Sequence, residues 1–176
     1  MSELIIIIGT NREEAISPII AKTYLNLAIE VGITTEIIDL RDLPEDYIAT
    51  ALYSNAGKNE AFNPLREKMK QAKKFLFVVP EYNGSFPGIL KTFIDGLEFP
   101  DTFRGKKAAM VGVSAGVMGG ALAMSHLTDI LNYCGTTVLA LKPRLTSISS
   151  NISDGEITNS FYLELIQQQI KELKEF

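Results

Sequence analysis

Apolar runs of strand length alternate along the chain with longer stretches whose apolar residues recur every three or four positions. Leu4–Ile8 is continuously apolar and rich in β-branched residues, the pattern of a strand buried on both faces of a parallel sheet. Ser17-Pro18 opens a helix, with Ser17 as N-cap and Pro18 at the first helical position. Ile19, Ile20, Tyr24, Leu27 and Val31 follow at helical spacing, and Gly32 ends the segment. The same reading predicts strands over Ile33–Asp39, Phe75–Val79, Lys107–Val113 and Thr136–Leu139. It predicts helices over Glu60–Gln71, Ile89–Leu97 and Val117–Tyr133, and a last helix running to about Lys174. Asp46–Gly57 is irregular and Ser147–Asn159 is polar.

Alternation this regular predicts an α/β fold, a parallel sheet in a three-layer sandwich. At 176 residues, with no internal repeat, low-complexity tract or linker, residues 1–176 are expected to form one domain. Ligands in such folds bind beyond the carboxyl ends of the strands, where the strand order switches direction. The loops after Ile8, Val79 and Val113 are therefore the ones to read for chemistry.

Composition narrows that chemistry. A net charge of −4 argues against nucleic acid as a partner. Five apolar residues between Glu3 and Gly9 are far short of a signal peptide or membrane span, so a cytoplasmic protein is expected. The single cysteine, Cys134, can form neither an internal disulfide nor a thiolate metal site and reads as core. One histidine, His126, nearly removes histidine-based metal sites and leaves a single candidate for histidine catalysis. Asp39 reads as a turn or cap, and the pairs Lys73-Lys74 and Lys106-Lys107 as solvated strand ends.

The first loop runs Gly9-Thr10-Asn11-Arg12-Glu13-Glu14-Ala15-Ile16-Ser17 into a helix. It lacks the glycines of the dinucleotide fingerprint and the Gly-Lys-Ser/Thr of a P-loop. Thr10, Asn11, Arg12 and Ser17 still offer hydroxyls, an amide and a guanidinium near a helix N-terminus, the ingredients of an anion site. A plain strand–loop–helix connection is the competing reading. The second loop, Pro80-Glu81-Tyr82-Asn83-Gly84-Ser85-Phe86-Pro87-Gly88, combines a fixed backbone with flat aromatic surface. Such a wall suits a planar heteroaromatic ligand.

From Pro80 to Asp95 the chain resembles the NADPH-dependent FMN reductases, which include quinone, azo-dye and metal-oxyanion reductases. The resemblance extends through the first loop and through Ser114–His126, while the C-terminal part is generic. It implies a flavodoxin-like sandwich with a five-stranded sheet in the order 2-1-3-4-5. It also implies FMN held without a covalent bond, hydride from NADPH or NADH, and onward transfer to a small-molecule electron acceptor. By the same resemblance Thr10, Arg12 and Ser17 take the phosphate, with Asn11 beside them. Pro80, Glu81, Tyr82, Asn83, Gly84 and Ser85 border the isoalloxazine, and Ser114, Ala115, Gly116 and Gly119 form a small-residue loop against the cofactor. Val117 and Met118 form part of that edge. The chain departs from the family pattern at Glu13, Glu14, Ala15 and Thr92. A homodimer or homotetramer is implied, with the helix after Gly88 as an interface element.

Gly112-Val113-Ser114-Ala115-Gly116 also fits the G-x-S-x-G nucleophile elbow. A hydrolase there needs an acid and then a histidine downstream, yet no Asp or Glu lies between Ser114 and His126. On a helix starting near Val117, His126 would sit roughly 13 Å along the axis, beyond the about 3 Å that a Ser–His bond requires. A serine hydrolase at Ser114 is thus remote, and a flavin-binding electron carrier without nicotinamide turnover is the nearer alternative. No side chain is expected to be indispensable for the chemical step, because the cofactor carries it. His126 is read as structural or interfacial.

Overall fold

The computed structural model describes residues 2–176. Its frame is a parallel sheet of β1 (Leu4–Ile8), β2 (Thr35–Asp39), β3 (Lys74–Pro80) and β4 (Lys107–Val113), extended beyond β4 by two short strands. These are β5 (Thr137–Val138) and β6 (Arg144–Leu145), which pair with opposite ends of β4. The order β2-β1-β3-β4-β5 is the flavodoxin-like one.

Alternation along the strands sorts the core into two layers. Ile5, Ile7, Phe75, Phe77, Val79, Ala108 and Met110 face one side, against α2 (Tyr47–Thr50), α3 (Asn63–Gln71), α4 (Gly88–Asp95) and α5 (Ala121–Tyr133). Leu4, Ile6, Ile8, Leu76, Val78, Ala109 and Val111 face the other, against α1 (Ser17–Glu30) and α6 (Ser160–Glu175). The continuous apolar runs expected of doubly buried strands are present, and β1 and β3 are buried throughout.

The fifth sheet position departs from a continuous Thr136–Leu139 strand. β5 pairs with Lys107 and Ala108, β6 pairs with Gly112 and Val113, and the chain leaves the sheet between them. The carbonyl of Met110, abandoned in that gap, accepts a hydrogen bond from Gln169 Nε2 at 3.0 Å. The same nitrogen donates to Leu141 O at 2.7 Å, and the Tyr24 hydroxyl donates to Gln169 Oε1 at 2.6 Å. A side chain from α6 thus replaces the missing stretch of strand, as buried backbone polar groups require.

Several local expectations are corrected. The helix read from Val117 begins at Ala121, because Gly119 and Gly120 hold φ of +58° and +70° and break helical geometry before it. Ser17 is the first helical residue rather than the N-cap; Ile16 stands at the cap and no side chain caps the end. β2 begins at Thr35, not Ile33. The polar stretch 147–159 contains a hairpin of β7 (Ile152–Ser153) and β8 (Glu156–Ile157) around Asp154-Gly155, an Asp-Gly turn with positive φ at both residues. Only Lys73 behaves as a solvated end. Lys74 is buried and its ammonium donates to Leu173 O and Lys174 O at 2.9 and 2.8 Å, closing the end of α6. Lys106 donates to Met69 O at the end of α3, and Lys107 lies over the Phe176 ring. Asp39 does act as a cap, accepting from Arg41 N at 3.0 Å.

Candidate active site

Three loops converge where β1, β3 and β4 end. At the tip of β1, Gly9 N donates to Val78 O at 2.9 Å, and a Cβ on Gly9 would come within 2.7 Å of that oxygen. That approach turns the following loop across the end of β3. Thr10 is buried, its hydroxyl accepting from Arg12 N at 3.2 Å and sharing a hydrogen bond with the Tyr82 hydroxyl at 2.8 Å. Glu81 N donates to Val113 O at 3.0 Å, joining the second loop to β4. Tyr82 and Ser85 then close a tight hairpin through reciprocal backbone bonds of 2.7 and 3.0 Å. Its central pair, Asn83-Gly84, takes φ of +50° and +74°, the positive values that Asn-Gly turns accommodate.

The hairpin is fixed at both sides. Tyr82 is held by Thr10, while Ser85 Oγ and His126 Nδ1 stand 3.0 Å apart across to α5. In the third loop, Ser114 Oγ donates to Gly116 O at 2.8 Å and accepts from Gly119 N at 2.9 Å. Gly119 cannot be larger: a Cβ there would lie 2.6 Å from Arg144 Cβ. A fourth segment closes over this loop, since Ser147 N donates to Gly116 O at 2.9 Å and Ile148 N to Ser114 O at 3.1 Å.

Between these segments lies a cleft of about 120 Å³. Thr10, Arg12, Ser17, Pro80, Glu81, Tyr82, Ser114 and Ala115 line it, so eight of the expected site residues meet there. Asn11, Asn83, Gly84, Ser85, Gly116 and Gly119 do not line it. Asn11 is exposed on the first loop, Asn83 and Gly84 form the hairpin tip, and the others brace the walls. Ala15, Ile16, Val113, Ile148 and Ser149 complete the lining. Ile148 and Ser149 escaped the sequence reading because only the pairing of β6 with β4 brings them there.

Arg12 is the one cation of the lining and Glu81 its one carboxylate. Glu13 and Glu14 are exposed and stand outside the lining, so their repulsion of an anion is screened by water. The Arg41 guanidinium, paired with Asp39, reaches Glu13 O at 3.5 Å. The cleft is small beside the roughly 300–1,000 Å³ of typical small-molecule sites. It has room for one end of a larger ligand only, and Arg12 and the lining hydroxyls suit that end to an anion.

A larger cavity of about 480 Å³ separates α4 from α5, walled by Ile94, Leu97, Phe99, Phe103, Ile130 and Tyr133. Its lysine, Lys91, is spent on Asp95 at 2.6 Å, and burial pushes the Cys134 thiol on its wall above its ordinary pKa. It carries no free anion-binding group, so the smaller cleft is the stronger candidate site. Among the described residues no cluster of three or more metal-binding side chains occurs. No described helix is long and apolar enough to cross a membrane.

The family model of the NADPH-dependent FMN reductases matches residues 2–142, four-fifths of the sequence. The chain belongs to that family. It is 35% identical over 150 residues to the NAD(P)H-dependent FMN reductase of Pseudomonas aeruginosa, covering 81% of this chain and 78% of that one. It is 28% identical over 182 residues to the quinone reductase of Escherichia coli K12, covering 99% and 94%. Among solved structures, the flavoenzyme NAD(P)H:(acceptor) oxidoreductase FerB of Paracoccus denitrificans superposes with a TM-score of 0.78 at 24% identity, covering 99% and 96%. As a family member, this reductase has its cleft at the carboxyl ends of β1 and β3, the switch point of its sheet order. Its G-x-S-x-G segment does not assemble a hydrolytic pair. The Ser114 hydroxyl is committed within its own loop and the His126 Nδ1 to Ser85. The later start of α5 replaces the spacing expected from a Val117 helix, and these hydrogen bonds carry the exclusion instead.

Proposed function

We propose that the protein is an FMN-dependent NAD(P)H oxidoreductase that passes electrons to a quinone, free flavin or similar small acceptor. The observation that carries this reading is the cleft itself. Its one cation, Arg12 on the first loop, lines it together with Ser17, the first residue of α1, beside the Tyr82–Ser85 hairpin and without a nucleophile–base pair. The donor set fits FMN. A guanidinium and hydroxyls suit a phosphate, and Pro80 with the flat face of Tyr82 on its fixed hairpin suits a planar ring.

In this reading Arg12 and Ser17 hold the phosphate, while Pro80, Glu81 and Tyr82 border the ring. Ser114 and Ala115 line the opposite wall, and Gly116 and Gly119 fix that wall's loop through the Ser114 hydroxyl. Asn83, Gly84 and Ser85 act by fixing the hairpin, and Asn11 by shaping the first loop. When bound, FMN supplies the redox chemistry, accepting hydride from NADPH or NADH and returning electrons to the acceptor. The chain contributes position rather than proton transfer, since bringing two reactants into register lowers the barrier without an acid or base. The apolar surface of Val117 and Met118, 81% and 50% exposed, offers a landing face beside the site.

The whole of 1–176 is read as one flavodoxin-like unit acting in the cytoplasm, where its nicotinamide donor is made and Cys134 stays a free thiol. A homodimer through the α4–α5 cavity is supported by Phe99 and Tyr133. They stack at 6.2 Å yet remain 63% and 82% exposed on its rim. Tyr133→Lys should then shift the sedimentation of the native protein toward monomer.

The test of function is reconstitution. Apo-protein should bind one equivalent of FMN and oxidise NADH or NADPH in the presence of a quinone. FMN binding without turnover would mark an electron carrier, and absence of binding at tens of micromolar would refute the reading.

A further inference from the structure

The cleft contains four hydroxyl side chains other than tyrosine: Thr10, Ser17, Ser114 and Ser149. Two are spent inside the protein. Thr10 Oγ1 is occupied by Arg12 N and the Tyr82 hydroxyl, and Ser114 Oγ by Gly116 O and Gly119 N. Ser17 is the first residue of α1 and is buried on the cleft wall. Ser149 is exposed and lines the cleft, whereas its neighbours Ser150 and Asn151 both donate to Ser147 O, at 2.9 and 3.0 Å. Ala15, the remaining first-loop position facing the cavity, presents only a methyl group.

A terminal phosphate brings three strong acceptor oxygens, and Arg12 with Ser17 leaves part of that capacity unmet. We propose that Ser149 is a third phosphate ligand, completing with Arg12 and Ser17 the anion-binding end of the flavin site. This rests on the assignment of the cleft to FMN. It adds a ligand from beyond residue 142, where the family match ends.

The segment carrying Ser149 is built to stay in place. Ile148, 2% exposed, anchors it in the core, and its N–H and that of Ser147 are tied to the third loop. Just upstream, the Tyr162 hydroxyl donates to Thr146 O at 2.9 Å. A hydroxyl on such a segment loses little freedom on binding, which favours affinity.

Fluorescence titration of apo-protein with FMN and, separately, with riboflavin tests this directly, because riboflavin lacks the phosphate. Ser149→Ala should raise the Kd for FMN about tenfold, the ordinary worth of a hydrogen bond to a charged group. It should leave riboflavin within twofold. Ser149→Asp should weaken FMN further while sparing riboflavin, by like-charge repulsion. Unchanged FMN affinity in Ser149→Ala, with Arg12→Ala weakened, would overturn the role of Ser149 and leave the FMN reading intact. Equal weakening of both flavins would also overturn it, placing the contact on the ring or ribityl chain. Failure of the wild-type protein to bind either flavin would remove both readings together.

Discussion

Gln169→Leu tests whether one amide side chain replaces the missing middle of the fifth strand. Leucine fills nearly the same volume but withdraws three hydrogen bonds, from Tyr24, to Met110 O and to Leu141 O. Tyr24 and Met110 are fully buried, so water cannot replace the lost partners there. Leu141 is only partly buried, and its carbonyl can be rehydrated. Two orphaned buried groups at ~1–3 kcal/mol each give about 2–6 kcal/mol, reduced by the apolar burial leucine adds. A net loss of about 3 kcal/mol is expected, a substantial share of the ~5–15 kcal/mol that stabilises an ordinary domain. Tyr24→Phe removes only the donor to Gln169 Oε1 and should cost about 1–2 kcal/mol. In the double variant no phenol is left unpaired, so the combined loss should fall short of the sum by about 1 kcal/mol. Urea unfolding of the apo-protein followed by far-UV circular dichroism measures all three at a common m-value. A loss below 1 kcal/mol for Gln169→Leu, or strict additivity with Tyr24→Phe, would refute the stitching role.

Arg12→Ala should raise the FMN Kd by roughly 10–100-fold with little effect on riboflavin, as read by the same fluorescence titration. Gly119→Ala places a Cβ 2.6 Å from Arg144 Cβ at a φ of +58°, so urea unfolding should show a loss of at least ~1–2 kcal/mol. Lys74→Met removes the ammonium that closes α6 and should cost about 1–3 kcal/mol, with faster amide exchange in the last turn. His126→Ala frees Ser85 and should raise amide exchange at Gly84 and Ser85, while the exchange of β1 and β3 stays unchanged.

Much of the frame was legible because its strands are apolar on both faces and its helices keep a helical period. Leu4–Ile8 and Phe75–Val79 allow no reading but interior strands, and the loops after them carry the unusual residues. Where local and non-local preferences diverge, the sequence reading slipped. The helix start read at Val117 runs through Gly119-Gly120, yet both take left-handed φ, and an added Cβ would meet Arg144 at Gly119 and the end of β4 at Gly120. Lys74 looked solvated because lysine ends usually are, but α6 brings two carbonyls to it from a hundred residues away. Asp154-Gly155 carries a hairpin signal, but the strands it joins are only two residues each, too short to show an alternating pattern. Arg12, Tyr82 and Ser114 stood out by chemistry, whereas Ser149 is an ordinary serine until the chain's return beside β4 delivers it to the cleft.

The gap in the fifth strand also bears on how the sheet resists edge-to-edge pairing with other chains. That strand is an outer edge of the sheet, and an unbroken edge would offer a row of free peptide groups to any passing extended chain. Here the row is cut into two pieces of two residues, with Pro143 buried between them and Gln169 occupying the carbonyls exposed by the break. A foreign strand finds no run long enough to zip onto. At the opposite edge, β2 is only five residues long and carries Glu36 and Asp39, ion-paired with Lys68 and Arg41, and charged side chains on a short edge discourage strand addition. The interruption that costs the sheet part of a strand therefore protects it against templated aggregation.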